Sequence, residues 1–228
     1  MRRKKIIRVL ALCSALVVAL TTRLGDYLRT YVRAARLDTA LLAHRGFIVA
    51  ASIGWVVFGL YWDVAAKTAA AAKSAESRAS RGLHVFLANV ALLLELAPIR
   101  GLGRFSPVSY RLMAAGLAVE AMGLILSIWA RRHLGQNWSG EISIKVDHEL
   151  IRSGPYRLLR HPIYTGLLAM YAGTALVTGE WLAAIGLAMA AFAYWRKIRL
   201  EEANLNAAFG DDYDAYRRET WALVPGLF

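Results

Sequence analysis

The stretch IYTGLLAMYAGTALVTGEWLAAIGLAMAAFAY, residues 163–194, decides the fold. It is apolar almost throughout, yet it is longer than the roughly 20 residues that one helix needs to cross a bilayer. Gly179, Glu180 and Trp181 interrupt it near the middle, which predicts two helices joined by a tight turn with a tryptophan at the membrane interface. Glu180 is the only charge in the stretch, which favours a membrane hairpin over a soluble one.

Four apolar stretches precede this hairpin, at residues 6–20, 46–66, 83–99 and 112–130. Together they predict an all-α fold, a polytopic membrane helix bundle with five to six transmembrane helices. The first stretch follows a basic segment and is also compatible with a signal peptide, although the absence of a small-residue cleavage motif favours an uncleaved helix. Residues 21–45 alternate arginine with apolar residues, a pattern typical of an interfacial amphipathic helix.

Composition supports the membrane class. Hydrophobic residues make up 57% of the 228 residues, while the formal net charge is +12. The basic residues lie between apolar runs rather than on one polar module, so nucleic-acid binding is disfavoured and contact with membrane lipids is favoured. The single cysteine, Cys13, excludes an internal disulfide, and the isolated His44 and His84 suggest no metal site.

The chain divides into two regions. Residues 1–130 hold the N-terminal membrane helices, with 1–45 as possible extra or interfacial helices, and residues 131–228 hold the hairpin and the C-terminal helices. A hairpin returns the chain to the side where it began, so the loop before it and the C-terminal tail share one side. The basic loops favour the cytoplasmic side of a bacterial inner membrane, although the arginines of residues 23–36 fit this orientation only if the first stretch does not span.

Polar residues gather just before the hairpin, in GPYRLLRHPIYTG, residues 154–166. Pro162 suits the first turn of a helix, so His161 stands at the helix mouth. Free backbone N–H groups there, with Arg160 and His161 adjacent, would form an anion site. The alternative is a basic, aromatic anchor at the lipid headgroups.

A second group of charges follows the hairpin. Lys197 and Glu201 are i,i+4 neighbours on a continuing helix, with Glu202 next to them. The hairpin would bring these residues beside Arg160 and His161, so that carboxylates and an anion site line one pocket suited to a zwitterionic cofactor. Ordinary helical salt bridges on a solvated extension are the alternative.

Several blocks occur in a characteristic order: G-x-Y-x-x-x-R-H-P-x-Y-x-G at 154–166, E-E-x-x-L from Glu201, F-G-x-x-Y-x-x-Y from Phe209, and Pro225. This pattern resembles the isoprenylcysteine carboxyl methyltransferase family, and phospholipid N-methyltransferases are similar in the same region. The resemblance covers about residues 133–225. It implies an integral membrane enzyme that binds S-adenosylmethionine in a cytosol-facing C-terminal pocket and methylates a lipophilic small molecule, first of all the carboxylate of an isoprenylcysteine-like substrate.

The resemblance also implies site residues. Cofactor contacts would fall on His148, Glu149, Leu150, Ile151, Tyr156, Arg160, His161, Pro162, Ile163, Tyr164 and Glu201. Catalytic contacts would fall on Lys197, Arg196 and Glu202. Lys197 stands where the family has an arginine associated with the substrate carboxylate, and a lysine lacks the bidentate fork of an arginine.

This departure leaves a phospholipid amine or a thiol open as the methyl acceptor. An amine would need a proton acceptor, for which Glu202 and His133 are candidates. The sequence also leaves open a membrane reductase that uses NADPH, and a non-catalytic scaffold or small transporter.

Overall fold

The structure is a computed structural model that describes residues 39–67, 73–74, 76–96, 102–107, 109–135, 138, 143–144 and 150–226. Over these ranges the regular secondary structure is helical apart from one short ladder and two isolated β-bridges. The helices are α1 (Thr39–Ala66), α2 (Arg78–Leu96), α3 (Tyr110–Leu134), a 3-10 helix (Gly154–Arg157), α4 (Pro162–Thr178), α5 (Trp181–Phe209) and α6 (Asp211–Glu219). The ladder pairs β1 (Lys73–Ser74) antiparallel with β2 (Ser143–Ile144), with Lys73 opposite Ile144.

Three of the described helices are long and apolar enough to cross a membrane: Ala43–Ala66 within α1, Arg78–Leu96 and Tyr110–Leu134. The chain is therefore a helical integral membrane protein. Helix α4 has 17 residues, somewhat short for a span, and α5 carries its charges in its second half. The count of five to six spans stays a prediction, because the stretch at 6–20 lies outside the described residues.

The predicted hairpin forms, and its turn lies at the residues that interrupt the apolar stretch. Helix α4 ends at Thr178, and Gly179 caps it in the left-handed region with a φ of 63°. The Gly179 amide donates to the carbonyl of Ala175 at 2.8 Å, and the Gly179 carbonyl accepts from the amide of Phe105 at 2.9 Å. Helix α5 then begins at Trp181, and it continues without interruption to Phe209.

Glycines let α3 and α4 pack backbone to backbone. A Cβ atom on Gly123 would lie 2.4 Å from the carbonyl oxygen of Gly166, and one on Gly116 would lie 2.7 Å from that of Gly173. Neither position can hold a larger residue without moving a helix. Small residues at such crossings are typical of helices that associate within a membrane.

The buried core is formed by residues of α1, α2, α3, α4 and α5. The ring centroids of Trp55 and Tyr171 are 4.6 Å apart, and the indole N–H of Trp55 donates to Thr174 Oγ1 at 2.9 Å. Glu95 and Glu120, which the sequence places within predicted spans, are buried between helices, as expected for carboxyl groups in such spans.

Candidate active site

The turn before α4 has the local structure that its sequence predicts. Pro162 opens α4, and His161 is the N-cap residue with φ −126° and ψ 56°, outside the helical region. Upstream, Pro155 lies in the first turn of the 3-10 helix, and Gly154 has a φ of 60°. A Cβ on Gly154 would lie 2.7 Å from the His133 ring, so this glycine is needed for space as well as for conformation.

The C-terminal segment covers the backbone at this mouth. The amide of Arg160 donates to the carbonyl of Trp221 at 2.8 Å, and that of His161 donates to Ala222 at 3.1 Å. In return, the Trp221 amide donates to Leu158 at 3.0 Å. The tail thus occupies the backbone donors of Arg160 and His161, the two residues before α4, and the anion site predicted at the free N–H groups of the helix mouth stays a prediction.

The two glutamates of α5 lie against this mouth. Arg160 Nε donates to Glu202 Oε1 at 2.8 Å, and His161 Nε2 lies 3.4 Å from the same oxygen. His161 Nδ1 lies 3.6 Å from Glu201 Oε2, while the hydroxyl of Tyr164 donates to Glu201 Oε1. The structure thus brings together Arg160, His161, Glu201 and Glu202, as the hairpin argument predicts.

These contacts shift the pKa values in a consistent direction. Burial disfavours the charged form of His161, but the carboxylates of Glu201 and Glu202 outweigh it and raise the pKa of His161 above its usual 6.5. Burial likewise disfavours ionised Glu202, yet His161 and Arg160 lower its pKa to about 2. For Glu201, His161 and the charge of Lys197 outweigh burial and lower the pKa. The cluster therefore favours a protonated imidazole between two carboxylates.

This electrostatic arrangement bears on the catalytic residues that the sequence suggests. With a pKa of about 2, Glu202 is a poor proton acceptor, and its contacts with Arg160 and His161 give it a holding role. The other candidate base, His133, is exposed and lies 2.8 Å from Ser153 Oγ. Its ring stacks on that of Tyr156 with centroids 6.4 Å apart, so His133 stays a candidate proton acceptor.

Lys197 and Arg196 differ in their contacts: the Arg196 guanidinium is hydrogen-bonded and the Lys197 ammonium is not. Lys197 is 8% exposed, and its ammonium group makes no hydrogen bond or ion pair within the described part of the chain. Arg196 instead donates from Nη2 to Ser80 Oγ at 2.7 Å and from Nη1 to the Ser80 carbonyl at 3.3 Å. Arg196 thus ties α5 to the first turn of α2, away from the carboxylates.

A row of rings continues from the cluster into the bundle. His161 stacks on Tyr164 with centroids 5.7 Å apart, Tyr164 lies 5.2 Å from Tyr194, and Tyr194 lies 5.2 Å from His84. No pattern in the sequence links Tyr194 or His84 with the site. Tyr156 is buried near the row, where its carbonyl accepts from the hydroxyl of Tyr216 at 2.7 Å.

The remaining candidates surround these groups or lie outside the described ranges. Pro162 and Ile163 are buried at the start of α4, and the partly buried Ile151 packs against the core. Leu150 is partly buried beside it in the chain, whereas His148 and Glu149 fall outside the described residues. A groove of about 240 Å³ lies between Arg160 and residues 217–221, smaller than the roughly 300 Å³ at which ligand pockets begin.

Comparisons with known proteins match this part of the chain. A family model described as phospholipid methyltransferase matches residues 112–212. A protein-S-isoprenylcysteine O-methyltransferase of Schizosaccharomyces pombe is 29% identical over 114 residues, covering 49% of this chain and 48% of the relative. Methanethiol S-methyltransferase 2 of Bradyrhizobium diazoefficiens is 42% identical over 75 residues, covering 32% of this chain and 27% of the relative.

A solved structure shares the fold. The eukaryotic intramembrane Ras methyltransferase ICMT (isoprenylcysteine carboxyl methyltransferase) matches with a TM-score of 0.59 at 19% identity, covering 96% of this chain and 75% of the other. The chain spans about half the length of the curated relatives it matches. The resemblance to the isoprenylcysteine carboxyl methyltransferases is thus confirmed, in sequence over the C-terminal half and in fold more widely.

Proposed function

We propose that this chain is a membrane methyltransferase that uses S-adenosylmethionine to methylate a lipophilic acceptor. The observation that carries the proposal is the convergence of Glu201 and Glu202 with Arg160 and His161. These four residues belong to the sequence blocks of the resemblance, and all four lie within the matched family region.

The residues present fit the cofactor. Glu201 suits the amino group or the ribose hydroxyls, since it is a partly buried carboxylate with a lowered pKa, fixed by His161 and Tyr164. The rings of Tyr156 and Tyr164 suit the adenine, and an electron-rich ring stabilises a sulfonium by cation–π attraction. The amides of Arg160 and His161 are already bonded, so the cofactor carboxylate would bind the N–H groups of the first turn of α4.

When bound, S-adenosylmethionine supplies a methyl group on sulfonium, which an in-line displacement transfers to a nucleophile. The work of this chain is then alignment and the exclusion of water. Lys197 is the group that would hold an anionic acceptor, because its ammonium is buried, makes no hydrogen bond or close ion pair among the described residues, and lies near enough to Glu201 to lower its pKa. The apolar tail of the acceptor would approach from the bilayer, while the cofactor enters from the cytosol, which places the pocket on the cytoplasmic side of the membrane.

The acceptor proposed first is the carboxylate of an isoprenylcysteine-like molecule, as in the relative from Schizosaccharomyces pombe by its name. A lipophilic thiol is the second candidate. Two observations favour it: the 42% identity to a methanethiol S-methyltransferase, and a lysine where carboxylate recognition favours the fork of an arginine.

The test is a calorimetric titration of the detergent-purified protein with S-adenosylmethionine, S-adenosylhomocysteine and NADPH. We expect micromolar binding of the first two, weakened at least about tenfold in Glu201→Gln, because one lost charge-assisted hydrogen bond costs roughly 1.5–3 kcal/mol. Glu219→Gln is the matched control, since this carboxylate is exposed at the end of α6. Binding of NADPH alone, or equal affinity in folded Glu201→Gln, would contradict the proposal.

A further inference from the structure

A basic groove lies next to the candidate active site, between Arg160 and the end of α6. Its lining consists of Arg160, Arg217, Arg218, Glu219, Thr220 and Trp221. Three of these side chains are cations and one is a carboxylate, so the groove favours an anionic ligand. Its volume of about 240 Å³ is that of roughly eight water molecules at about 30 Å³ each, which suits a phosphate-sized group and is too small for S-adenosylmethionine.

Arg160 is the fixed cation of this groove. Its side chain is only 9% exposed, and its Nε donates to Glu202 Oε1 at 2.8 Å. Its Nη1 donates to the carbonyls of Arg217, at 3.1 Å, and Thr220. Its Nη2 makes no hydrogen bond within the described part of the chain. A guanidinium that is nine-tenths buried and held at two of its nitrogens thus keeps one unoccupied pair of N–H donors, and little conformational entropy is lost when an anion binds it.

The other two arginines are exposed and loosely held. Arg217 lies 3.9 Å from Glu202 and 3.8 Å from Asp214, at the limit of an ion pair. The exposed Arg218 makes no hydrogen bond or ion pair with any residue that the structure describes. Both guanidinium groups are therefore available to turn toward an anion next to Arg160, where each adds charge-assisted hydrogen bonds.

Apolar side chains beside the groove indicate where the anion comes from. Leu158, Trp221 and Val224 are exposed, and the Trp221 amide donates to the Leu158 carbonyl at 3.0 Å. The same segment is tied to the first turn of α4, since Thr165 Oγ1 donates to the carbonyl of Leu223 at 2.7 Å. The groove therefore lies where the apolar helix α4 begins, at the level at which tryptophan and arginine side chains meet lipid headgroups.

We propose that this groove binds the phosphodiester headgroup of an anionic phospholipid from the surrounding bilayer. The phosphate oxygens contact Nη2 of Arg160 and the guanidinium groups of Arg217 and Arg218, while the acyl chains lie against Leu158 and Trp221. Only the headgroup enters the groove, which agrees with its small volume. The inference goes beyond the proposed methyltransferase function and does not depend on it, because the groove is separate from the proposed cofactor contacts at Glu201 and Tyr164.

The test is native mass spectrometry of the full chain purified in detergent and titrated with short-chain lipids. We expect dioctanoyl phosphatidylglycerol to bind at least about fivefold more tightly than dioctanoyl phosphatidylcholine. In Arg218→Gln, the affinity for phosphatidylglycerol should fall about fivefold, the usual contribution of one basic residue at an anionic lipid. In the double variant Arg217→Gln and Arg218→Gln it should fall about 25-fold, as two additive contributions give.

Arg132→Gln is the matched control. It removes the same charge from an exposed position in the last turn of α3, at the same end of the bundle but outside the groove. Its affinity for phosphatidylglycerol should stay within about twofold of wild type. Calorimetry should give equal S-adenosylmethionine affinity in wild type, Arg132→Gln and Arg218→Gln.

Each alternative occupant gives a different result. An equal loss in Arg132→Gln and Arg218→Gln would mean that lipids follow the net charge of the protein rather than a site. Displacement of phosphatidylglycerol by an equal concentration of inorganic phosphate would assign the groove to a soluble anion. A loss of S-adenosylmethionine affinity in Arg218→Gln would make the groove part of the cofactor pocket. Equal affinity for the two lipids, or unchanged affinity in the folded double variant, would also overturn the inference.

Discussion

Glu202, near the C-terminal end of α5, forms ion pairs with Arg160 and His161, the two residues that precede α4 and form its mouth. Its carboxylate contacts Arg160 at 2.8 Å and His161 at 3.4 Å, and Arg217 Nε lies 3.9 Å away. Removing one partner of a largely buried charge cluster leaves the others without compensation. We therefore expect Glu202→Gln to lower the free energy of unfolding by about 2 kcal/mol, or roughly 5 °C in Tm.

The pH dependence of Tm in the wild type and in Glu202→Gln tests the charges of Glu202 and His161. The pKa of Glu202 is lowered to about 2, so its contribution is present above its unfolded value of 4.5 and is lost as pH falls toward 2. The pKa of His161 is raised, so its contribution is complete below 6.5 and is lost as pH rises through the folded value. Wild-type Tm should fall at both ends, and Glu202→Gln should flatten both limbs. Parallel curves would contradict this assignment.

At this scale the sequence predicts local chemistry better than distant contacts. The meeting of His161 with Glu201 follows from a hairpin, because both residues lie at the same open end. His84 could not be placed, since its contact with Ala193 depends on how α2 packs against α5. Nothing in the periodicity of α2 encodes that packing. The bonds of Arg160 and His161 to the tail depend on the C-terminal segment in the same way.

The crossing of α3 and α4 depends on glycine. A Cβ on Gly123 would lie 2.4 Å from the Gly166 carbonyl and 2.9 Å from the Met170 amide, so Gly123→Val must separate the two backbones. We expect a loss of roughly 2–3 kcal/mol, measured as a fall in Tm in detergent. Gly59→Ala on α1 is the matched control, because nothing lies within 4 Å of its Cβ position. It should leave Tm unchanged or raise it slightly.

The C-terminal segment pairs with the residues before α4 through backbone hydrogen bonds. Two variants of Trp221 can therefore separate the role of its backbone amide from that of its indole ring. Trp221→Pro removes the amide that donates to Leu158 at 3.0 Å, whereas Trp221→Ala keeps it. Since the tail carbonyls hold the amides of Arg160 and His161, we expect only the proline variant to weaken S-adenosylmethionine binding, by about tenfold in calorimetry. Equal effects of the two variants would instead indicate a role for the exposed indole ring.

Helix bounds differ from the apolar stretches for a physical reason. The stretch 112–130 is the core of α3, but the helix begins at Tyr110, because the hydroxyl of Ser109 accepts from the Leu112 amide, and it ends at Leu134 before Gly135. Caps end helices, whereas hydrophobicity marks only the part that enters the bilayer. The break at Gly179 could be predicted because a glycine, which readily adopts the left-handed conformation of a helix cap, stands directly before the charged Glu180 that interrupts the apolar run.

The placement of the whole molecule depends on whether the hairpin crosses the bilayer. Helix α4, with 17 residues, is about 25 Å long, close to the roughly 30 Å of a hydrocarbon core. Its upstream loop and the α5 extension carry the candidate site, whereas Gly179 and Trp181 mark the opposite end. The loop before α4 and the end of α5 share one side in either case, so the crossing decides only whether Gly179 and Trp181 lie on the opposite face.

Cysteine labelling decides between a crossing hairpin and a re-entrant one. In a Cys13→Ala background, Arg157→Cys and Trp181→Cys place one thiol at each end of α4, and both native side chains are exposed. We expect a membrane-impermeant maleimide to label position 157 only in inside-out vesicles and position 181 only in right-side-out spheroplasts. Labelling of both from the same side would mean that the hairpin returns without crossing. The bundle would then have two fewer spans than the sequence predicts.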